Sequence, residues 1–232
     1  MQKTSHANTD VHSRIKKAKQ IELILSQYID LRKSVILDLG CGSGIITHCF
    51  GEKYPYVYGA DIIDERILKD NYKFDLYKGK KLPYKNNTFN LVIANYVFEH
   101  EKNKTNFLNE IRRVLKPKGI CYLSTCNRLF PIEPHFSLPF LSILPKKIAD
   151  QYVRIFKKGN YFDIYPLNLI ECNRFLKKFF NYSNITDIFV KKYYKHISKN
   201  ILSSIIVRFI PTVFFRKLFF FFPGWIFILK KK

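Results

Sequence analysis

Residues 35–44 read VILDLGCGSG, and no other stretch constrains the fold as much. Val35, Ile36 and Leu37 form a short apolar run that meets an acid, Asp38, and then glycines at 40, 42 and 44. Only nine glycines occur in 232 residues, so three within five positions mark a turn whose backbone has to be bare. The apolar run reads as a buried parallel strand, and Ile45-Ile46-Thr47-His48 opens a helical pattern. A glycine-rich strand-to-helix turn lets a ligand reach the backbone where a Cβ would clash. The helix behind it offers unpaired N–H groups. Such a turn suits a nucleotide.

Dinucleotide sites space their glycines G-x-G-x-x-G to seat a pyrophosphate at the helix N-terminus. Here the spacing is Gly40-x-Gly42-x-Gly44, with Asp38 two residues ahead. A carboxylate there repels a pyrophosphate but can face a cation through water or backbone. VYGAD, 57–61, is a second apolar run ending in an acid 23 positions after Asp38. That distance fits one strand–helix–strand unit, and an acid at the second strand's end can take both ribose hydroxyls. A turn-rich approach from Leu82 leads to a strand over Phe89 to Ala94. Phe107, Leu108, Ile111, Val114 and Leu115 then recur at helical spacing, Lys116-Pro117-Lys118-Gly119 stops the helix, and ICYLST reads as the next strand.

These ordered motifs, over about residues 33–127, resemble the class I S-adenosylmethionine-dependent methyltransferases, specifically the type 11 family. The resemblance implies an α/β fold: a Rossmann-like sheet with helices on both faces, a closing antiparallel strand and inserted segments. It implies S-adenosylmethionine as cofactor, with Asp38, Gly40, Gly42, Gly44, Asp61, Ile62 and Asn95 as binding residues. Asp61 takes the ribose in that reading, and Ile62 packs on adenine. One position departs from the family. The acid expected four residues before Leu82-Pro83, to accept from the adenine amino group, is Lys78. Asp75 and backbone carbonyls are the substitutes within reach.

The length fits a single methyltransferase domain over 1–232: a cofactor-binding core at 33–127, a substrate-side insert at 128–166 and an apolar, basic insert at 195–224. The opening residues carry charge but no apolar signal-peptide run. Five cysteines without a C-x-x-C pair, and six histidines without ligand spacing, point to a reducing cytoplasm and to no metal. Before the glycine turn, Ile21, Ile24, Leu25 and Tyr28 mark one helix face, read chiefly as core packing.

The substrate-side insert leaves the end of the fifth strand and contains Pro131, Pro134, Pro139 and Pro145, through which no regular helix can run. Ligands of open α/β sheets bind beyond the carboxyl ends of strands, so this insert is expected to wall the acceptor pocket. His135 is the candidate general base, with Glu133 to orient it. His100 is second choice, and a bare loop histidine is the competing reading. Asn127 and Arg128 stand at the same strand end. LIECNRFLKKFF reads as an amphipathic helix, ITDIFVKKYY as a strand and GWIFILKKK as the final strand.

Net charge is +22, and it is uneven: 22 basic against 14 acidic residues in 1–138, 18 against 4 in 139–232. Such a balance suits nucleic acid or an anionic membrane, although lysine-rich composition accounts for part of it. Segment 195–224 is aromatic and basic but lacks the roughly 18 consecutive apolar residues of a membrane span. It reads as an element lying on the inner membrane surface, or as a helical pair packed on the core. The leading functional expectation is methyl transfer to an oxygen of a small or lipid-linked acceptor, such as a quinone precursor or a cell-envelope glycan or lipid. An RNA methyltransferase is the second reading, without the D/N-P-P-Y/F or paired Pro-Cys and Thr-Cys motifs that RNA enzymes use. A non-catalytic binding protein of this fold is the third.

Overall fold

The computed structural model describes residues 9–190 and 218–232. Its core is a seven-stranded sheet. The strands are β1 (Ile36–Leu39), β2 (Val57–Asp61), β3 (Lys73–Leu76), β4 (Phe89–Asn95), β5 (Leu115–Cys126), β8 (Phe180–Asn184) and β9 (Gly224–Lys231). Their order is β3-β2-β1-β4-β5-β9-β8. The first five run parallel, and β9 pairs antiparallel with both β5 and β8. This is the α/β sheet with a closing antiparallel strand expected from the motifs.

The order reverses at β1, whose neighbours are β2 and β4. A crevice opens beyond the strand ends at such a point. β1 is buried on both faces, as its apolar run requires. One side is packed by α3 (Lys104–Val114) and α5 (Leu169–Phe179) through Phe107, Leu108, Ile111, Leu169 and Leu176. The other takes α1 (Val11–Leu25) and α2 (Ile45–Gly51) through Ile21, Ile24, Leu25, Ile46 and Phe50. Tyr28 lies past the end of α1 and is exposed, so it does not belong to that buried face.

The insert after β5 makes a two-stranded hairpin, β6 (Ile132–Glu133) with β7 (Leu138–Pro139), and then α4 (Lys146–Ile155). The helix begins immediately after Pro145. Its residues Ala149 and Val153 join Phe136, Leu138, Leu141 and Phe162 in a small separate core.

The reading of ITDIFVKKYY as a strand is corrected over 185–190; its last four residues, 191–194, lie outside the described residues. The strand is the preceding FNYSN, and residues 186–190 are helical. Asn184 Oδ1 accepts from the Thr186 amide (3.0 Å) and hydroxyl (2.6 Å), which ends the ladder and starts the helical turn. Most of segment 195–224 lies outside the described residues. Of its last part, Phe219 is buried in the core and its carbonyl accepts from Trp225 Nε1 at 2.8 Å, whereas Phe220 and Phe221 are exposed.

Candidate active site

The β1–α2 turn is built as its glycines require. Gly40, Gly42 and Gly44 have φ of 74°, 51° and 74°, all left-handed. A Cβ on Gly40 would meet the Val97 side chain, and one on Gly44 would meet the Tyr72 hydroxyl and the Leu68 carbonyl. The turn borders a cavity of about 390 Å³ at the switch point. Gly40, Gly42, Asp61, Ile62 and Asn95 line it, five of the seven positions expected to hold a cofactor.

Asp61 is fixed at the end of β2. Its Oδ2 accepts from the Gly42 amide at 2.8 Å and its Oδ1 from the Ile62 amide at 2.7 Å. Burial raises its pKa, and the backbone donors of Gly42, Ile62 and Ile63 oppose that shift. An ionised carboxylate has about four acceptor positions, so lone pairs are left for ligand hydroxyls. Asn95 Oδ1 takes the Ser124 hydroxyl at 2.9 Å, while its buried Nδ2 has no partner among the described residues. A cavity-lining amide donor left over in this way fits a ligand carrying acceptors.

Two expected residues are displaced from the cavity wall. Asp38 is only 3% exposed and accepts from Thr47 Oγ1 at 2.7 Å. It ties β1 to α2 beneath the turn, and burial lifts its pKa to about 6. Gly44 is the N-cap of α2 and faces the 66–72 loop. Neither Lys78 nor Asp75 reaches the cavity; Tyr77, whose amide donates to the Asp61 carbonyl at 2.9 Å, lines it instead.

At the other end, the insert brings Pro134 and His135 into the cavity wall. Glu133 is buried below them, with Oε1 2.8 Å from His135 Nδ1 and Oε2 accepting from the Phe136 amide at 2.6 Å. Burial alone would lower the His135 pKa. The Glu133 hydrogen bond and charge, with Glu99 and Asp163, more than offset it, so the imidazole is raised. His100 lines the same cavity, and its ring meets that of His135 edge-on at 5.0 Å. The two histidines ranked apart in the sequence are therefore neighbours. Asn127 and Arg128 do other work. Asn127 donates to the Phe220 and Phe222 carbonyls, and Arg128 pairs with Glu171 at 2.8 Å.

Sequence reasoning missed three residues. Arg14 and Lys17, three apart on α1, line the cavity, so α1 covers the site as well as packing the core. Burial, and then Arg14, bring Lys17 down to about 8. Their signal was two cations at one helical spacing, which is common on any surface. Glu99 is fully buried under the histidines. Its Oε2 accepts from Thr125 at 3.0 Å, Oε1 has no hydrogen-bond partner by geometry among the described residues, and burial raises its pKa. Glu99, His100 and His135 each bring one ligand atom within 4.8 Å of the others. Two imidazoles and a carboxylate are a donor set able to hold a transition-metal ion. No sequence spacing could show it, because His135 comes from the insert.

Residues 37–123 match a family model described as "Methyltransferase domain". Among curated proteins, the chain is 32% identical over 127 residues to the human mitochondrial ubiquinone biosynthesis O-methyltransferase, covering 48% of this chain and 34% of that protein. The chain thus spans about a third of that relative's length. Among solved structures, the PH0226 protein of Pyrococcus horikoshii superposes with a TM-score of 0.63 at 19% identity, over 99% of this chain and 94% of the other. Phosphoethanolamine N-methyltransferase 2 of Haemonchus contortus, in complex with S-adenosyl-L-methionine, superposes with a TM-score of 0.56 at 16% identity, over 92% of this chain and 52% of that one.

Proposed function

We propose that this chain, whose residues 37–123 match the methyltransferase family model, is a type 11, class I methyltransferase that transfers a methyl group from S-adenosylmethionine to an oxygen of a small or lipid-linked acceptor. A quinone precursor is the acceptor suggested by the name of the human relative; a cell-envelope glycan or lipid has the same hydroxyl chemistry. The observation that carries the reading is one cavity with Asp61 and the Gly40–Gly42 turn at one end and the Glu133–His135 pair at the other.

The residues present fit the cofactor. Asp61 would hold the ribose hydroxyls, Ile62 and Tyr77 would flank the adenine, and the Gly40–Gly42 backbone would meet the amino-acid end, with Asn95 as a further donor. Bound there, the sulfonium supplies an activated methyl group. His135 takes the proton from the acceptor hydroxyl: Glu133 accepts from Nδ1–H and so leaves Nε2 as the basic atom. Walls from α1 and the insert hold the acceptor in line and exclude water, and alignment alone supplies a large share of the rate.

Peripheral contact of segment 195–224 with an anionic inner membrane surface belongs to the same reading, and exposed Phe220 and Phe221 support it at the segment's described end. No helix among the described residues is long and apolar enough to cross a membrane. The decisive experiment incubates purified protein and labelled S-adenosylmethionine with lipid extract, soluble metabolites and RNA separately. Label in the lipid or small-molecule fraction is expected. Label in RNA alone would replace this reading with the nucleic-acid one, and absence of cofactor binding would leave a non-catalytic protein.

A further inference from the structure

The insert after β5 presents an apolar surface that its own core does not use. Ile132, Phe140, Ile143, Ile148, Ile155 and Phe156 each have more than half of their surface exposed. They are not scattered singles of the kind any protein carries, because all six fall within 25 residues of one subdomain. On α4, Ile148 and Ile155 lie seven apart and share a face, while Tyr152 between them is partly buried against the insert's own core and its ring meets that of Phe156 at 4.9 Å. That face adjoins the one that buries Ala149 and Val153, and is not the same as it. In the hairpin, exposed Ile132 pairs across the strands with exposed Pro139, while Glu133 and Leu138 turn inward.

Phe140 is the sharpest observation. It has φ 54° and ψ 12°, a left-handed conformation that bulky side chains rarely adopt, held by its amide's hydrogen bond to the Pro131 carbonyl at 2.6 Å. That strain places an aromatic ring 57% exposed, where the core gains nothing from it. Backbone strain of this kind persists where surrounding structure over-determines it, often at sites that bind.

The charge around this face says what it fits. Lys147 and Arg154, seven apart on α4, form a basic line beside the apolar one, and Lys157 and Lys158 follow. The only acids in 128–158 are both engaged: Glu133 is buried against His135, and Asp150 pairs with Lys146. Apolar side chains bordered by cations, with no acid left to repel, match the interface of an anionic bilayer.

We propose that the outer face of residues 129–156 docks on an anionic lipid bilayer. Docking there sets the cavity beside the lipid, because the same hairpin carries Pro134 and His135 into its wall. Only the purpose, presenting a lipid-linked acceptor, rests on the proposed methyl transfer; the docking itself does not.

The test floats the full chain on density gradients with vesicles of phosphatidylcholine alone or mixed with phosphatidylglycerol, at low and high salt. Wild type is expected to rise with the anionic vesicles and to fall back partly in salt. The triple variant Phe140→Asn, Ile148→Ser, Ile155→Ser, with asparagine chosen because it tolerates the left-handed region, should bind about tenfold or more weakly. Should that variant melt early, Lys147→Glu with Arg154→Glu replaces it and should lose the anionic preference. Calorimetry with S-adenosylmethionine is run in parallel, so that a failed cofactor site and a failed docking face read differently. Wild type remaining in the soluble fraction overturns the proposal. So does a folded variant that floats like wild type, or one that turns a wild-type dimer into a monomer by light scattering, which makes the face a contact between copies.

Discussion

Glu133 Oε1 and His135 Nδ1 lie 2.8 Å apart, and the carboxylate is buried while the imidazole lines the cavity. The pair has the order of a base and its orienting acid. A base works in its neutral form, and His135 is raised above its ordinary value. Methyl transfer should therefore increase with pH through that raised pKa. Replacing His135 by Ala should lower turnover by about 10²–10⁴. Glu133→Gln should move the rise to lower pH and reduce the plateau. Initial rates from pH 6 to 9 check both; unchanged profiles would leave catalysis to alignment alone.

The same raised pKa has a stability sign. A histidine that holds its proton more tightly when folded stabilises the fold fully below its unfolded pKa, and that contribution disappears as pH rises through the folded value. Wild type should lose part of its stability above neutral pH relative to His135→Ala. Denaturant melts at pH 5.5 and 8.5 measure the difference.

On the proposed reading, Asp61 holds the ribose, and cofactor affinity should depend on it. Asp61→Asn keeps the shape but offers an amide where the Gly42 and Ile62 N–H groups and the ribose need acceptors. An unmatched buried donor costs about 1–3 kcal/mol, so calorimetry should show S-adenosylmethionine binding weakened by roughly tenfold or more. Undiminished binding by a folded variant would remove Asp61 from the site.

Beneath the turn, Thr47→Val deletes the hydrogen bond to Asp38. Burial already lifts Asp38 to about 6, and Thr47 is what most favours its charged form. The variant should raise that pKa further. Its destabilisation, on the order of 1–3 kcal/mol, should be expressed mainly above pH 6 and shrink at pH 5, where a protonated Asp38 tolerates burial. Equal losses at both pH values would show that Asp38 is not ionised in the fold.

Gly40→Ala meets two obstacles, φ of 74° and the Val97 side chain. Overpacking of this kind costs roughly 1–3 kcal/mol. Adding Val97→Ala should recover the steric part and leave the backbone part, which paired melts would separate.

Four of the five parallel strands were legible because their signals are local; β3 (Lys73–Leu76), a short, partly exposed edge strand, gave none. The Asp38 and Asp61 runs each carry their own strand, turn and acid within a few residues. Reading failed where neighbours in space are distant in sequence. His100 and His135 meet only because the hairpin folds back over the end of β4, and Glu99 gains its role from burial that no spacing reports. ITDIFV has a strand's composition, yet the Asn184–Thr186 cap starts a helix over 186–190. FNYSN has little strand propensity and is held by β9 alone, as an edge.

The strand β9 comes last in sequence but lies inside the sheet, pairing Ile120 with Lys230 through Cys126 with Gly224. Those partners are separated by about a hundred residues, which makes this a fold of high contact order and slow closure. Until residues 224–231 leave the ribosome, β5 offers an open apolar edge to any other chain. Premature termination before Gly224 would therefore yield a self-adhesive parallel sheet, and cellular yield should depend on chaperones during that interval.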